Sequence, residues 1–590
     1  MSLTLDQTSD HGSGCVDFLA YSTHTNWWIA CGWIGLGWDD DHDRAKCMLT
    51  FDHGEQSAEA RICLFPRADV KDFGYGYVLL VDAPRGGSEL VRLALHGRSA
   101  DFQLGISSGT ERIGDTEAIT RVSTELDRAP RSDHRARILK LLSRPAFTGR
   151  DTLDTLPAPV MLEVDMAYLC PPRGILLKGW FADPFRHVAS IRLRSGARAE
   201  TLNRDHWIEI ARPDVVAALA PATGFTNERC GFLTFVPDLY VLGEVCYFEI
   251  ETTQGEFGFR TVRTPRAACG ADALKSILDE FDLRYRALEL GYDHVIGPAV
   301  AALNLDRLST PPEVTALSFG AQPETVRCSI VVPLYGRIDF MEYQLAFFAR
   351  TLAPDHELIY VLDDPTVIRA AGTLAASCLA RFRRSFKLLT YDVNLGYAPA
   401  NNIGLRFARG EHVCFLNSDI FPKVADWLEY LLATAADPTI GVAGGLLLFE
   451  DESIQHEGMA FEHLAEFADW VFCRHPRKGL APGETHGVVR VPAVTGACMV
   501  MRTDLARAVG GFDEGFVIGD FEDADLCLRL RARGLGCAVD PRAQLYHLER
   551  QSQGGYEGGW RQNLTLYNAW RLQKLHRPAL LELAQRGRKA

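Results

Sequence analysis

Near residue 417 an apolar run, Glu411 to Leu416, leads into Asn417-Ser418-Asp419 and then Ile420-Phe421-Pro422. A buried strand whose carboxyl end delivers a lone carboxylate is one way an α/β protein places a metal ligand in a cleft. A second group of acids, Glu522, Asp523 and Asp525, opens the helical pattern Leu526 to Arg533 (LCLRLRAR). Carboxylates clustered at a helix start suit two roles: taking a proton from a reacting hydroxyl, or simply favouring the positive end of the helix macrodipole. Asn394-Leu395-Gly396-Tyr397 and Asn401-Asn402 lie upstream of these acids, and His547 lies downstream.

The elements around these residues follow one grammar. From Val326 the pattern is strand, loop, helix, repeated. Arg327 to Pro333 and Phe386 to Tyr391 read as buried strands, and Glu357 to Leu362 as another ending in Asp363-Asp364. Phe340 to Arg350 and Pro399 to Arg409 read as helices. Strands apolar on both faces, alternating with helices, predict a mostly parallel, Rossmann-like sheet with ligands at the strands' carboxyl ends. Residues 323–555 are expected to form this α/β domain. A helical connector over 266–322 precedes it and a helical tail over 556–590 follows.

The first 265 residues have a different grammar of short alternating runs broken by Gly, Asp and Pro. A weak internal repeat is present. Gly32-Trp33 is echoed by Gly179-Trp180, Arg67-Ala68-Asp69-Val70 by Arg212-Pro213-Asp214-Val215, and Gly76 to Val81 by Gly231 to Val236, at offsets of 147, 145 and 155 residues. Two β-sandwich-like modules, over 1–125 and 161–265, are the simplest expectation, joined by a charged, partly helical linker over 126–160. Trp27, Trp28, Trp33 and Trp180 could stack on sugar rings, but core packing is the favoured role. The window Trp27 to Trp38 is too short to span a bilayer and reads as a buried strand pair. The acidic run Asp39 to Asp43 lacks the spacing of a calcium loop and reads as a solvated hairpin.

Bulk properties narrow the class. The chain has 590 residues, 47% of them hydrophobic and 23% charged, as in ordinary globular proteins. A net charge of -14 argues against general nucleic-acid binding, which needs a basic surface. Fifteen cysteines without a CxxC pair point to a reduced, cytoplasmic setting. The opening MSLTLDQTSD lacks the pattern of a signal peptide, and no apolar stretch is long enough to be a membrane-spanning helix. The basic tail Arg586-Gly587-Arg588-Lys589 leaves peripheral attachment at the inner face of a membrane as an alternative. No GxGxxG opens a helix after a strand, which disfavours a dinucleotide-dependent dehydrogenase.

Seven stretches, in order, resemble the family 2 glycosyltransferases of the GT-A fold. They are SIVVPLYGR (329–337), YVLDD (360–364), NLGYAPANNIGLRFARGEHVCFLNSD (394–419), VTGACMVMRTDL (494–505), GGFDEGF (510–516), FEDADLCLRLRARG (521–534) and YHLERQS (546–552). The resemblance implies a nucleotide-sugar donor, UDP- or dTDP-linked, and a glycan or lipid-linked glycan acceptor in surface polysaccharide synthesis. It implies that Pro333 and Tyr335 border the base and that Asp364, with Asp363 as the near alternative, accepts hydrogen bonds from it. Asn394, Gly396, Asn402 and Ser418 would line the rest of the donor site. Asp419 and His547 would hold Mg²⁺ or Mn²⁺, with Arg550 and Ser552 near the phosphates. Only one acid stands where the family often has two.

Alignment with the family's Glu-Asp motif makes Asp523 the base of an inverting transfer, with Glu522 and Asp525 as alternatives. Thr495, Gly496 and Asp513 fall on the acceptor side. No QxxRW motif of the membrane-embedded synthases is present. Two rivals remain: a catalytically silent, glycan-binding or assembly protein, and a nucleotidyltransferase. Homo-oligomerisation is left open by the sequence.

Overall fold

The structure is a computed structural model. It describes residues 11–587 apart from positions 23–26, 37–43, 53, 73, 84–88, 97–100, 131, 144, 146, 172–173, 197, 240–244, 263–265, 268–269, 280–287, 468, 484–486 and 549–558. The acidic run Asp39 to Asp43, and Arg550 and Ser552, lie outside the described residues. The chain divides into two compact units, residues 1–169 with 173–266, and residues 170–172 with 267–590.

In the first unit the leading module is a closed barrel, not the expected sandwich. Strand His11–Ser22 pairs antiparallel with Trp27–Gly35 along one edge and parallel with Asp101–Gly105 along the other. Gly74–Asp82, Gly54–Phe65, Arg44–Phe51 and Leu90–His96 complete the ring in that order, making seven strands. The segment from Trp27 is one strand rather than a pair, because it runs to Gly35 without a turn. Its two faces serve two cores. Trp28, Ala30 and Ile34 point into the barrel with Leu49, Leu79 and Leu93. Trp27, Ile29 and Cys31 point outward under helices Asp115–Leu126 and Asp133–Leu142, which contribute Val122, Leu126, Ile138 and Leu141. The charged stretch after the barrel is therefore a packed lid over the barrel's outer face.

The second module sets a five-stranded sheet and a four-stranded sheet around one core, which holds Leu177, Phe232, Leu193, Phe248 and Ile250. The sequence repeat has a structural counterpart. Trp33 faces Gly76 across one strand pair, and Trp180 faces Gly231 across the other. Arg67 pairs with Asp17 and Asp69, while Arg212 pairs with Asp165 and Asp214. Both Gly-Trp glycines lie against backbone: a Cβ on Gly32 would sit 1.9 Å from the Cys15 carbonyl oxygen, and one on Gly179 2.1 Å from that of Glu163.

In the second unit one large sheet carries the catalytic candidates. Its first half runs Thr315–Phe319, Phe386–Thr390, His356–Leu362, Cys328–Leu334 and His412–Leu416, with the last four strands parallel. Beyond His412–Leu416 the ladder turns antiparallel, to Cys498–Arg502 and then Ile440–Leu448. Gly536–His547 pairs parallel to Ile440–Leu448 and antiparallel to the short strand Ile420–Pro422. The sheet is thus mixed rather than mostly parallel. Both halves are buried on two faces, so apolar content alone does not distinguish the two pairings. Val331, Ile359 and Phe415 belong to the core on one side, and Ile330, Tyr360 and Cys414 to the core on the other. Among the described residues no helix is long and apolar enough to cross a membrane.

Substituting Gly32→Ala or Gly179→Ala should each destabilise the first unit by about 1–3 kcal/mol, because a strand backbone cannot yield as a side chain can. A lower midpoint of denaturant unfolding checks this; an unchanged midpoint in both variants would contradict the close approach.

Candidate active site

Strand His356–Leu362 is wholly buried and releases Asp363 and Asp364 at its carboxyl end. Asp363 is spent on the next loop. Its Oδ1 accepts from Leu395 N–H at 2.7 Å and Tyr391 O–H at 2.8 Å, and its Oδ2 accepts from Gly396 N–H at 2.7 Å. Burial pushes its carboxyl up to about 6, against those hydrogen bonds. Asp364 caps the short turn Pro365–Val367, where Oδ1 accepts from Thr366 N–H and O–H and Oδ2 from Gly336 N–H at 3.3 Å. Asn394 donates from its amide to the Asp363 carbonyl. Tyr335, which follows strand Cys328–Leu334, stands 48% exposed.

Gly396 has φ 90°, and a Cβ there would lie 3.0 Å from Ile518 Cα. Its bareness serves protein backbone, where the sequence suggested approach to a nucleotide. Tyr397 N–H donates to the Ile518 carbonyl, so the 394–397 loop is joined to residues 517–521. Asn402 is engaged with the 512–514 loop. Its amide donates to the Phe512 carbonyl and to Glu514 Oε1, and its Oδ1 accepts from Phe512 N–H, each at 2.9 Å.

Strand His412–Leu416 carries Asn417, Ser418 and Asp419 to the sheet's edge. Ile420 registers against His547, which brings residues distant in sequence side by side. Asp419 Oδ1 lies 3.4 Å from His547 Nε2, and both side chains are nearly buried. His547 Nδ1 and Asn417 Oδ1 are buried without hydrogen-bond partners. A carboxylate and an imidazole facing each other fit a small divalent cation. Among the described residues no three His, Cys, Asp or Glu side chains gather into a metal cluster, so further ligands would have to come from elsewhere.

The acids at 522–525 separate into different roles. Asp523 Oδ2 accepts from Gly496 N–H at 2.8 Å and Oδ1 from Ala524 N–H at 2.7 Å. Burial raises its affinity for a proton, and these donors moderate the rise. Glu522 is buried with Oε2 unpartnered, and desolvation followed by the Asp523 charge holds its carboxyl well above the usual range. Asp525 is fully committed: Oδ1 meets His576 Nε2 at 2.7 Å, and Oδ2 accepts from Arg529 Nε at 2.8 Å. Asp513 is likewise held, by Arg571 at 2.6 Å and by Gly515 N–H. Asp525 and Asp513 are thus both held by partners within the fold. Thr495 and Gly496 lie beside Asp523, and the Tyr397 hydroxyl donates to the Gly496 carbonyl. One residue on, the Ala497 carbonyl accepts from Asn417 N–H. The segment 495–497 thereby joins the Asp523 side of the site to the Asp419 side.

With that geometry in place, residues 329–506 match the family model described as Glycosyl transferase family 2. These residues are a family 2 glycosyltransferase domain. The O-antigen biosynthesis protein RfbC of Myxococcus xanthus is 31% identical over 232 residues, 39% of this chain and 18% of that protein. The pre-mycofactocin glycosyltransferase of Mycobacterium tuberculosis is 32% identical over 194 residues, 32% of this chain and 37% of that protein. The match thus spans well under half the length of these curated relatives. A mannosyltransferase from Pyrobaculum calidifontis, solved with GDP-Man and Mn²⁺, aligns at a TM-score of 0.28 and 16% identity over 53% of this chain and 84% of that one. That likeness is too loose to build on.

Several residues around the glycosyltransferase domain escaped the sequence reading. Arg307, in helix Gly297–Leu308, donates to the carbonyls of Asn394 and Leu395 and to Asn304, whose amide reaches the Glu514 carbonyl. His456 Nε2 accepts from Gly458 and Thr495 N–H, so its proton sits on Nδ1, which meets His475 Nδ1 at 2.9 Å. Burial keeps that imidazole neutral. His456 lies in a mostly polar stretch, Asp451 to Glu457, so no local pattern marked it.

Asp363 should leave a mark on stability. Its proton is held up to about 6 in the folded chain and lost at 3.8 in the ordinary carboxyl. Its contribution is therefore full below pH about 4 and falls as pH rises through 6, by roughly 3 kcal/mol. Unfolding free energies over that window should show this slope in wild type and lose it in Asp363→Asn; equal slopes would contradict the assignment.

Proposed function

We propose that the chain is a metal-dependent, inverting glycosyltransferase. It moves a sugar from a nucleotide diphosphate carrier, UDP- or dTDP-linked, to a hydroxyl of a glycan acceptor in surface polysaccharide synthesis. The observation that carries this reading is the bridge through 495–497, which ties a proton-accepting carboxylate, Asp523, to the strand end bearing Asp419 and His547. The O-antigen assignment of the Myxococcus xanthus relative supports the polysaccharide setting.

The chemistry follows from where charge moves. In the displacement, the acceptor oxygen attacks the anomeric carbon, the bond to the diphosphate oxygen breaks, and the hydroxyl proton passes to the Asp523 carboxylate. Asp523 needs a raised proton affinity and a fixed orientation for this task; burial supplies the first, and the Gly496 and Ala524 N–H groups the second. Glu522, kept neutral by burial, stands beside Asp523 without adding a second negative charge. Asp419 and His547 would hold Mg²⁺ or Mn²⁺, which when bound neutralises the charge on the departing diphosphate. Tyr335 would stack on the base, with Pro333 beneath it, and Asp364, Asn394 and Ser418 would border the nucleoside.

A screen of nucleotide sugars for metal-dependent release of the nucleoside diphosphate tests the reading. Asp523→Asn should lower kcat by at least about 10³-fold while nucleotide binding survives. Asp419→Ala should abolish the response to added metal. Normal turnover in Asp523→Asn, or turnover indifferent to chelator, would sink the mechanism. Because burial raises the Asp523 carboxyl above its ordinary value of 3.8, kcat/KM should fall with acidification at a pH above that value. An acid limb at or below it would contradict Asp523 as the base.

A further inference from the structure

The turn that leads into Asp523 is strained. Ile518, Asp520 and Phe521 have φ of 63°, 95° and 71°, a left-handed region that residues with side chains seldom enter. Such a stretch persists only where its surroundings over-determine it. Those surroundings come from the C-terminal helix Gly559–Gly587, which lies beyond the segment that matches the glycosyltransferase family.

Asn568 is fully buried on this helix and grips the turn at three points. Its Oδ1 accepts from Val517 N–H at 3.0 Å, and its amide donates to the carbonyls of Val517 at 3.1 Å and Gly519 at 2.8 Å. Thr565 donates to Asp520 at 2.9 Å, Arg571 holds Asp513 at 2.6 Å, and His576 meets Asp525 at 2.7 Å. Four residues over about three turns of one helix thus hold residues on both sides of Asp523. The held turn also faces the donor side, because the Ile518 carbonyl accepts from Tyr397 N–H.

We infer that the C-terminal helix is a working part of the transfer machinery and that Asn568 is a positioning residue, setting Asp523 through the 517–521 turn. This rests on the proposed glycosyltransferase reading for its catalytic consequence, and on hydrogen bonds alone for its structural one. Bare of these contacts, the turn relaxes toward ordinary φ values, and Asp523 moves relative to the Gly496 N–H. A displacement of about 1 Å at a reacting group is enough to cost roughly 100-fold in rate.

The test uses the full chain and three variants: Asn568→Ala, Thr565→Val as a milder change, and Arg577→Ala, whose exposed ion pair with Glu289 lies on the same helix away from the turn. Amide hydrogen exchange needs no substrate. In Asn568→Ala, exchange over 513–523 should quicken by about tenfold while the strands at 328–334 and 356–362 stay protected. With the nucleotide sugar found by the screen, kcat should fall about 100-fold in Asn568→Ala and severalfold in Thr565→Val, donor KM moving less than about threefold. Arg577→Ala should match wild type.

Unchanged exchange at 513–523 in Asn568→Ala overturns the inference whether or not transfer is observed. So does a kcat within twofold of wild type at a temperature where circular dichroism shows the variant folded. A wild-type chain that transfers no sugar, while Asn568→Ala loosens the turn, counts against the glycosyltransferase reading and its catalytic consequence, and leaves the helix's grip on the turn standing.

Discussion

The hydrogen bond from Gly496 N–H to Asp523 is the constraint on which the site depends. It holds the carboxylate that begins one helix against a segment that also closes, through Ala497 and Asn417, on the strand bearing Asp419. A charge-assisted bond of this kind is stronger than a neutral one, and it fixes direction as well as distance. His456 and Tyr397 hold the same segment from either side, through Thr495 N–H and the Gly496 carbonyl. Few of these groups face a ligand directly. They set the frame that holds Asp523 on one side and the Asp419–His547 pair on the other.

Around that frame, charge is mostly used up. Asp363, Asp513 and Asp525 each accept several hydrogen bonds or pair with arginine, and each ties one loop to another. A buried carboxylate left unpaired is expensive, so such residues are structural pins wherever partners are at hand. Asp523 differs from Asp513 and Asp525 in keeping only backbone and hydroxyl donors, with no arginine or lysine paired to it among the described residues. That difference in partners separates a group able to take up a proton from its neighbours of identical chemistry. The pins also explain why the α/β domain extends past its family boundaries. Arg307 and Asn304 come from the helix before it, Asn568 and Arg571 from the helix after it.

The first unit follows a different economy. Its barrel closes because strand His11–Ser22 offers both edges, one antiparallel and one parallel, and closure removes exposed strand edges. Covering the barrel's outside with two helices then makes its strands apolar on both faces. The repeated arginine clamp and Gly-Trp approach show that the second module reuses the same three-strand core, His11–Ser22, Trp27–Gly35 and Gly74–Asp82 corresponding to Met161–Cys170, Gly174–Ala182 and Gly231–Pro237. What differs is how the remaining strands finish the sheet.

Sequence alone carried the strand-loop-helix order of the second unit, because a 3.6-residue or uninterrupted apolar period is a local property. It carried the candidate acids too, since Asp419, Glu522 and Asp523 stand at element ends that local pattern marks. It also carried the Gly-Trp repeat, whose close backbone approach disfavours any side chain at Gly32 or Gly179. Only the tertiary structure decided which acid meets which partner. Asp513, Asp525 and Asn402 look as functional as Asp523 on the page, and these partners of theirs lie between 51 and 112 residues away. Barrel closure and the antiparallel half of the sheet were hidden for the same reason. Which edge meets which, and which charge meets which, is settled by contacts between distant segments, and no local period records them.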